Sequence, residues 1–329
     1  MRCAELVDSG DDAQQHFDYY SYMAKRRHHY IPQFYLKNFG DPKAKGRIWR
    51  YPKTGGVPFC AGPADLGVEK DYHTFTRSDG SVDTDTIEDD FSIVEGAAAA
   101  AITKVLAGKS LSTAEHESFV AFTATMLVRV PERRDRIGKM MSEIAEHVMQ
   151  AQAWDKESFH ADHRRYQAET GDVSEGDPEE LRQFILSGDC ELKANPKAAL
   201  GMSFSAMETV MNCLLKMNWA FIPRKGRFTF ITCDNPVFYC DPTIPPNVWH
   251  GVGLMSTNIE LSFPLSSEVI AFAGHRPLRK GLTASPEMVR MFNQRTLEAA
   301  YRYIFAAENS EALGRFIVQN DPAKPVRVW

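Results

Sequence analysis

The sequence predicts an α+β fold in which a helix-rich N-terminal half packs on a mainly antiparallel sheet drawn from the C-terminal half. Two observations carry this expectation. Between Thr84 and Met217 the apolar residues recur at helical spacing, and from Trp219 onward the period changes to two. No repeat and no sharp linker divides the chain. Residues 23–329 therefore read as a single α+β domain carrying a polar helical insertion around 154–196, preceded by an extension over 1–22. That extension has few aliphatic residues and is expected to be poorly ordered.

The densest chemistry lies in Lys25 to Phe39, KRRHHYIPQFYLKNF. His28 to Ile31 should be extended, because the residue before Pro32 is pushed out of the α region, while Pro32 itself suits the first turn of a helix. Phe34, Tyr35, Leu36 and Phe39 give that short helix an apolar face, and Gly40 stops it. Arg47 to Tyr51 and Val57 to Cys60, joined by Thr54-Gly55-Gly56, read as a hairpin. Tyr72 to Thr76 is a further short strand, closed by Ser78-Asp79-Gly80.

Thr84 or Asp85 should cap a helix to about Gly108, with Glu88 in capping-box spacing from Asp85. Its buried stripe is Ile87, Phe91, Val94, Ala98, Ile102 and Val105. Ser112 or Thr113 opens the next helix, carrying Phe119, Phe122, Met126 and Val130. Pro131 interrupts it, and Glu132 to Ala153 continues as a charged, exposed helix. Ala198 to Met217 is an apolar helix that ends the α-rich part. Short strands are then expected at 220–223, 228–232, 237–240, 259–264, 269–273 and 301–306, with Pro286 to Ala299 as a helix between the last two.

Composition sets the outer limits. The chain has 329 residues, 43% hydrophobic and 25% charged, which is ordinary for a globular protein. The apolar run Gly96 to Ala107 is interrupted by Thr103 and Lys104, so no membrane span and no membrane partner is expected. Met1 to Gln15 lacks the pattern of a secretory signal. Six cysteines without C-x-x-C spacing point to free thiols and a cytoplasmic location.

The net charge of -5 conceals two opposed blocks. Lys25 to Lys53 holds nine Lys or Arg against Asp41, a balance of 9 - 1 = +8, whereas Asp65 to Glu95 holds ten acids against Lys70 and Arg77, a balance of 2 - 10 = -8. Either the blocks neutralise each other across the fold, or a phosphate-attracting patch sits beside carboxylates able to hold a divalent cation.

The run HHYIPQFYLKNF resembles the signature of a bacterial family known as domain of unknown function 4238. Glu95 in its helix, Arg129 with Pro131, TCDNPV from Thr232 to Val237, FPLS from Phe263 to Ser266, and Asn293 are similar to further marks of that family. The resemblance implies a shared fold and a bacterial origin, and no settled activity. Cys233 stands where the pattern has serine, which argues against a nucleophile there.

HHYIP also resembles the opening of the HNH nuclease metal motif, in which a histidine activates water beside a divalent ion. The rest of that motif is missing, since Asn38 comes too early and His73 lies far along the chain. Glu88, Asp89 and Asp90 answer the helix dipole without needing a ligand. Glu95 lies deeper in an alanine-rich segment, where a carboxylate needs a partner, and Arg129 is the natural one. Asp234-Asn235-Pro236 falls between two strands, presented either as site groups or as an Asx turn. There is no phosphate loop, dinucleotide fingerprint, nucleophile elbow or His-Glu-x-x-His.

The first functional expectation is therefore a metal-dependent phosphodiesterase or nuclease of a bacterial conflict system. In it His29, Asp234 and Asn235 are catalytic, Arg27, His28 and Arg129 bind phosphate, and Glu95 and Asp234 hold Mg or Mn. Its partner would be a nucleic acid or a phosphorylated small molecule. The alternatives are a non-catalytic regulatory or interaction protein and a binder of small anionic ligands.

Overall fold

A computed structural model describes residues 26–171, 176–244 and 252–320. The expected extension over 1–22 lies outside the described residues. The chain divides into two units, Met1–Pro131 with Met207–Trp329, and Glu132–Ala206.

In the first unit the arm β1 (Arg27–His29) pairs antiparallel with β4 (Val68–Lys70), His28 opposite Glu69. Pro32 is extended and caps the four-residue helix α1 (Gln33–Leu36), followed by a tight turn over Lys37–Phe39. Tyr35, Leu36 and Phe39 are fully buried. The Tyr35 hydroxyl bonds Thr232 Oγ1 at 2.6 Å and donates to the Pro264 carbonyl at 2.7 Å, so this small helix is pinned to residues from two separate sheets. Gly67 lets the arm come close: a Cβ there would lie 2.6 Å from Ile31 Cβ, and its φ is +62°.

The expected hairpin forms as β2 (Ile48–Pro52) with β3 (Phe59–Ala61). β5 (Phe75–Thr76) and β6 (Val82–Asp83) make a second small hairpin. Helix α2 (Thr86–Leu106) follows, burying Phe91, Ala98, Ala101, Ile102 and Val105. The predicted Asp85–Glu88 capping box does not form. Asp83 instead accepts the Asp85 and Thr86 amides, and Glu88 turns elsewhere. Helix α3 (Thr113–Val128) has a complete capping box between Ser112 and Glu115 and packs on α2, while its Phe119 and Phe122 meet Phe263 of the sheet and Phe122 also meets Tyr35 of α1.

Helix α4 (Pro131–Trp154) begins at Pro131 and leads into the second unit, which continues with α5 (Lys156–Thr170), α6 (Pro178–Ser187) and α7 (Pro196–Ser205). Asp155, Asp177 and Asn195 cap the last three, and Ile137, Ala153, Ile185, Ala199 and Leu200 are buried. The expected insertion around 154–196 lies inside this unit.

The single helix expected over Ala198 to Met217 is two, α7 and α8 (Met207–Leu215), divided at Ala206. By length and composition alone, Pro196–Leu215 would suffice to cross a membrane, with 22% of the relevant window buried.

Back in the first unit, β7 (Asn218–Pro223), β9 (Phe238–Cys240), β10 (Glu260–Pro264) and β11 (Val269–Gly274) form an antiparallel sheet in the order β7-β11-β10-β9. A second sheet, β3-β2-β12-β8, joins the N-terminal hairpin to β8 (Thr232–Cys233) and β12 (Tyr303–Ala306). Helix α9 (Pro286–Ala299) covers Phe230 and Ile270 with Val289 and Phe292, and α10 (Glu311–Gln319) packs Ile317 against Tyr51, Ile231 and Ile304. The α+β class stands, but the helix-rich N-terminal half does not. The helices fall mostly in the middle, over 86–215, with sheet at both ends. The period-two signal of the first 83 residues comes in pieces of two to five residues, too short to register as sheet beside the long helices.

Candidate functional site

Three elements distant in sequence bring His28, His73 and Glu88 together. Pairing of β1 with β4 fixes His28, a turn after β4 delivers His73, and the first turn of α2 supplies Glu88. One donor atom from each lies within 4.8 Å of the others. His28 Nδ1 accepts the His73 backbone N–H at 2.8 Å, and the two rings stack 5.6 Å apart and nearly parallel. His73 Nδ1 is hydrogen bonded to Glu88 Oε1. Both histidines are 1% exposed, and the site reaches solvent through the half-buried Glu88.

Packing dictates the protonation. Tyr72 and Phe91 meet the His73 ring edge-on, at 4.9 and 5.1 Å. Burial among them lowers the His73 pKa to about 4, more than the Glu88 hydrogen bond restores. Burial alone would raise Glu88, but the hydrogen bond from His73 and the charges around it bring its carboxyl below the usual range. At neutral pH the pair is thus a neutral imidazole donating Nδ1–H to a carboxylate. His28, receiving an amide at Nδ1, carries its lone pair there.

Arg129 closes the inner side. It caps α3 and is 0% exposed, with Nε donating to the Tyr30 carbonyl at 2.9 Å and Nη1 to Glu95 Oε1 at 2.7 Å. Its guanidinium lies over Phe91, 5.0 Å from the ring centre. Nη2 is buried and finds no hydrogen-bond partner among the described residues. The charge of Arg129 acts on His29, His73 and Glu88, which places all four side chains in one neighbourhood.

The residues singled out from sequence separate into two groups. His28, His29, Glu95 and Arg129 gather here. His29 is half-buried, burial lowers its pKa, and its Nε2–H donates to the Ala64 carbonyl at 3.2 Å, leaving the lone pair on Nδ1. Arg27 is paired with Asp65 and Arg26 with Asp71, so on the arm the basic and acidic blocks neutralise each other.

Asp234 and Asn235 are engaged in the fold. Asp234 is 1% exposed, and its oxygens accept the Tyr301, Arg302 and Tyr303 amides at 2.8, 2.7 and 3.1 Å. Asn235 donates to the Ala299 carbonyl at 3.0 Å. Such bonds are those of a brace that sets the start of β12, and the metal-ligand group among the described residues contains neither Asp234 nor Glu95.

The convergence of His73 and Glu88 on His28 was missed because His28 lies 45 residues before His73, across a three-residue strand pairing. The signal available was the acid-rich start of α2 following a lone histidine. A separate cleft of about 350 Å³, lined by Tyr51, Gly55, Gly56, Arg315 and Val318, contains none of these groups.

No curated protein and no solved structure matches the chain. Residues 27–310, which include every side chain of this site, match the family DUF4238, described as a protein of unknown function, and the chain belongs to that family.

Proposed function

We propose that the protein is a metal-dependent hydrolase acting on a phosphodiester or related phosphate ester, as a nuclease does, with a divalent ion held by His28, His73 and Glu88. The observation that supports this reading is the convergence of two imidazoles and a carboxylate, from three separate elements, within 4.8 Å. Two nitrogens and one oxygen suit Zn, Mn, Fe, Co or Ni better than Mg, which prefers an all-oxygen shell. The ion would act as a Lewis acid and lower the pKa of a bound water. His29, neutral with its lone pair on Nδ1, is the candidate base, and Arg129 Nη2 is a candidate donor to an anionic oxygen. The same reading takes the location as cytoplasmic and the partner as a nucleic acid or phosphorylated small molecule.

A second reading, a non-catalytic regulatory or interaction protein, is supported by the closure of the arm. Arg26 and Arg27 are paired with acids, and His28 and His73 are almost fully enclosed. Elemental analysis of the purified chain, with hydrolysis of bis(p-nitrophenyl) phosphate before and after chelation, tests both. About one equivalent of a transition metal, chelator-sensitive hydrolysis and loss of both in His73→Ala are expected. A folded chain that takes up no metal on reconstitution and hydrolyses nothing would leave the second reading.

A further inference from the structure

We propose that Arg50, held between Phe59 and Tyr303, is the anchor of a phosphate-binding site on the sheet β3-β2-β12. It goes beyond the reading above, because it uses other residues and holds whether or not the histidines take a metal.

Arg50 lies on the central strand of the three, opposite Phe59 on β3 and Phe305 on β12, while Tyr303 faces Pro52. Period-two alternation therefore puts Arg50, Phe59 and Tyr303 on one face. The guanidinium carbon is 3.8 Å from the Phe59 ring centre and 4.3 Å from that of Tyr303. Two aromatic rings thus fix the plane of the cation and leave its edge to make hydrogen bonds.

Among the described residues no carboxylate takes that edge. The Arg50 side chain has neither a hydrogen bond nor an ion pair among the described residues, and its Nε is buried without a partner. The contrast with Arg26 and Arg27 is specific, since those two are each matched by an aspartate. A half-buried arginine packed against two aromatic rings, with donors that no side chain among the described residues takes, matches the oxygens of a phosphate. Phe59 is 42% exposed, which gives a nucleotide base an aromatic surface beside the anion.

The test is a titration of the ¹⁵N-labelled full chain with sodium phosphate, balanced by sodium chloride to constant ionic strength, following the Arg50 Nε–Hε resonance. A saturable shift that chloride does not reproduce is expected. Arg50→Gln, read by backbone amides of β2 and β3, should lose about tenfold or more in affinity, and Arg50→Lys should recover only part of it. A single-stranded oligonucleotide binding at least about tenfold tighter than inorganic phosphate, with Phe59→Ala removing the difference, assigns the phosphate to nucleic acid. Equal binding assigns it to the free anion. A response matched by chloride, or a phosphate affinity unchanged in a folded Arg50→Gln chain, overturns the proposal.

Discussion

Replacing Arg129 with methionine separates the charge of that side chain from the volume it fills. In the native chain the guanidinium is wholly buried, donates to Tyr30 and Glu95, and lies over Phe91. Removing one partner of a buried ion pair costs about 3–5 kcal/mol, because the other charge is left uncompensated. Glu95 retains 25% of its side-chain exposure and can recover some hydration, which moves the cost toward the lower end of that range. The stranded Tyr30 carbonyl adds about 1 kcal/mol. The expected loss is therefore about 3–4 kcal/mol.

Urea unfolding followed by near-UV circular dichroism measures this loss, provided the slope against denaturant is unchanged. Glu95→Gln and the double variant complete a cycle, with an expected coupling of about 1–3 kcal/mol. A loss below about 1 kcal/mol in Arg129→Met, with no coupling to Glu95, would refute the view that Arg129 ties the arm and α2 to α3.

Three further outcomes follow from the same geometry. His73 has its pKa lowered to about 4, against 6.5 when unfolded, so its contribution is present above pH 6.5 and is lost as pH falls through 4; in metal-free protein the pH slope of stability should be shallower in His73→Gln by about 3 kcal/mol in total, as measured by urea unfolding across that range. Tyr35→Phe removes a buried hydroxyl bonded to Thr232 and Pro264 and should cost about 1–3 kcal/mol, whereas the unchanged ring should keep its packing on Phe263, as thermal unfolding and near-UV spectra would report. Gly67→Ala places a methyl 2.6 Å from Ile31 Cβ at a φ of +62°, so amide exchange should show β1 opening from β4 while α2 and α3 stay protected.

What could be read from the sequence was whatever local chemistry decides. Ser112 opens α3 where a helix start was expected, Pro32 ends an extended arm, and the spacing of Phe91, Ala98, Ile102 and Val105 declares the buried face of α2. The pairing of Glu95 with Arg129 was also legible, because a carboxylate so deep in an apolar helix requires a cation.

The rest depends on contacts whose rules operate in space. Nothing in a three-residue strand announces a partner 40 residues away, so the approach of His73 to His28 left no periodic trace. Glu88 satisfied a sufficient local explanation, the helix dipole, and its bond to His73 stayed hidden behind it. Apolar composition stayed continuous through Ala206, and only the backbone shows that α7 and α8 are separate. Asp234 looked like a site group because it sits at a strand end, and it is there that three amides require an acceptor.

The bonds that close the histidine cluster also determine how it would take a metal. His73 keeps a proton on Nδ1 to bond Glu88, and His28 gives its Nδ1 lone pair to an amide. If a divalent ion drew on those same atoms, it would displace a proton from the first and an amide from the second, and uptake would release a proton. Each displacement subtracts from the affinity that two imidazoles and a carboxylate would otherwise confer. Arg129 ties α3 to the arm through the Tyr30 carbonyl and to α2 through Glu95, by bonds that none of those three side chains makes. Proton release on titration with a divalent ion, absent in His73→Ala, would therefore be the signature of binding through these atoms.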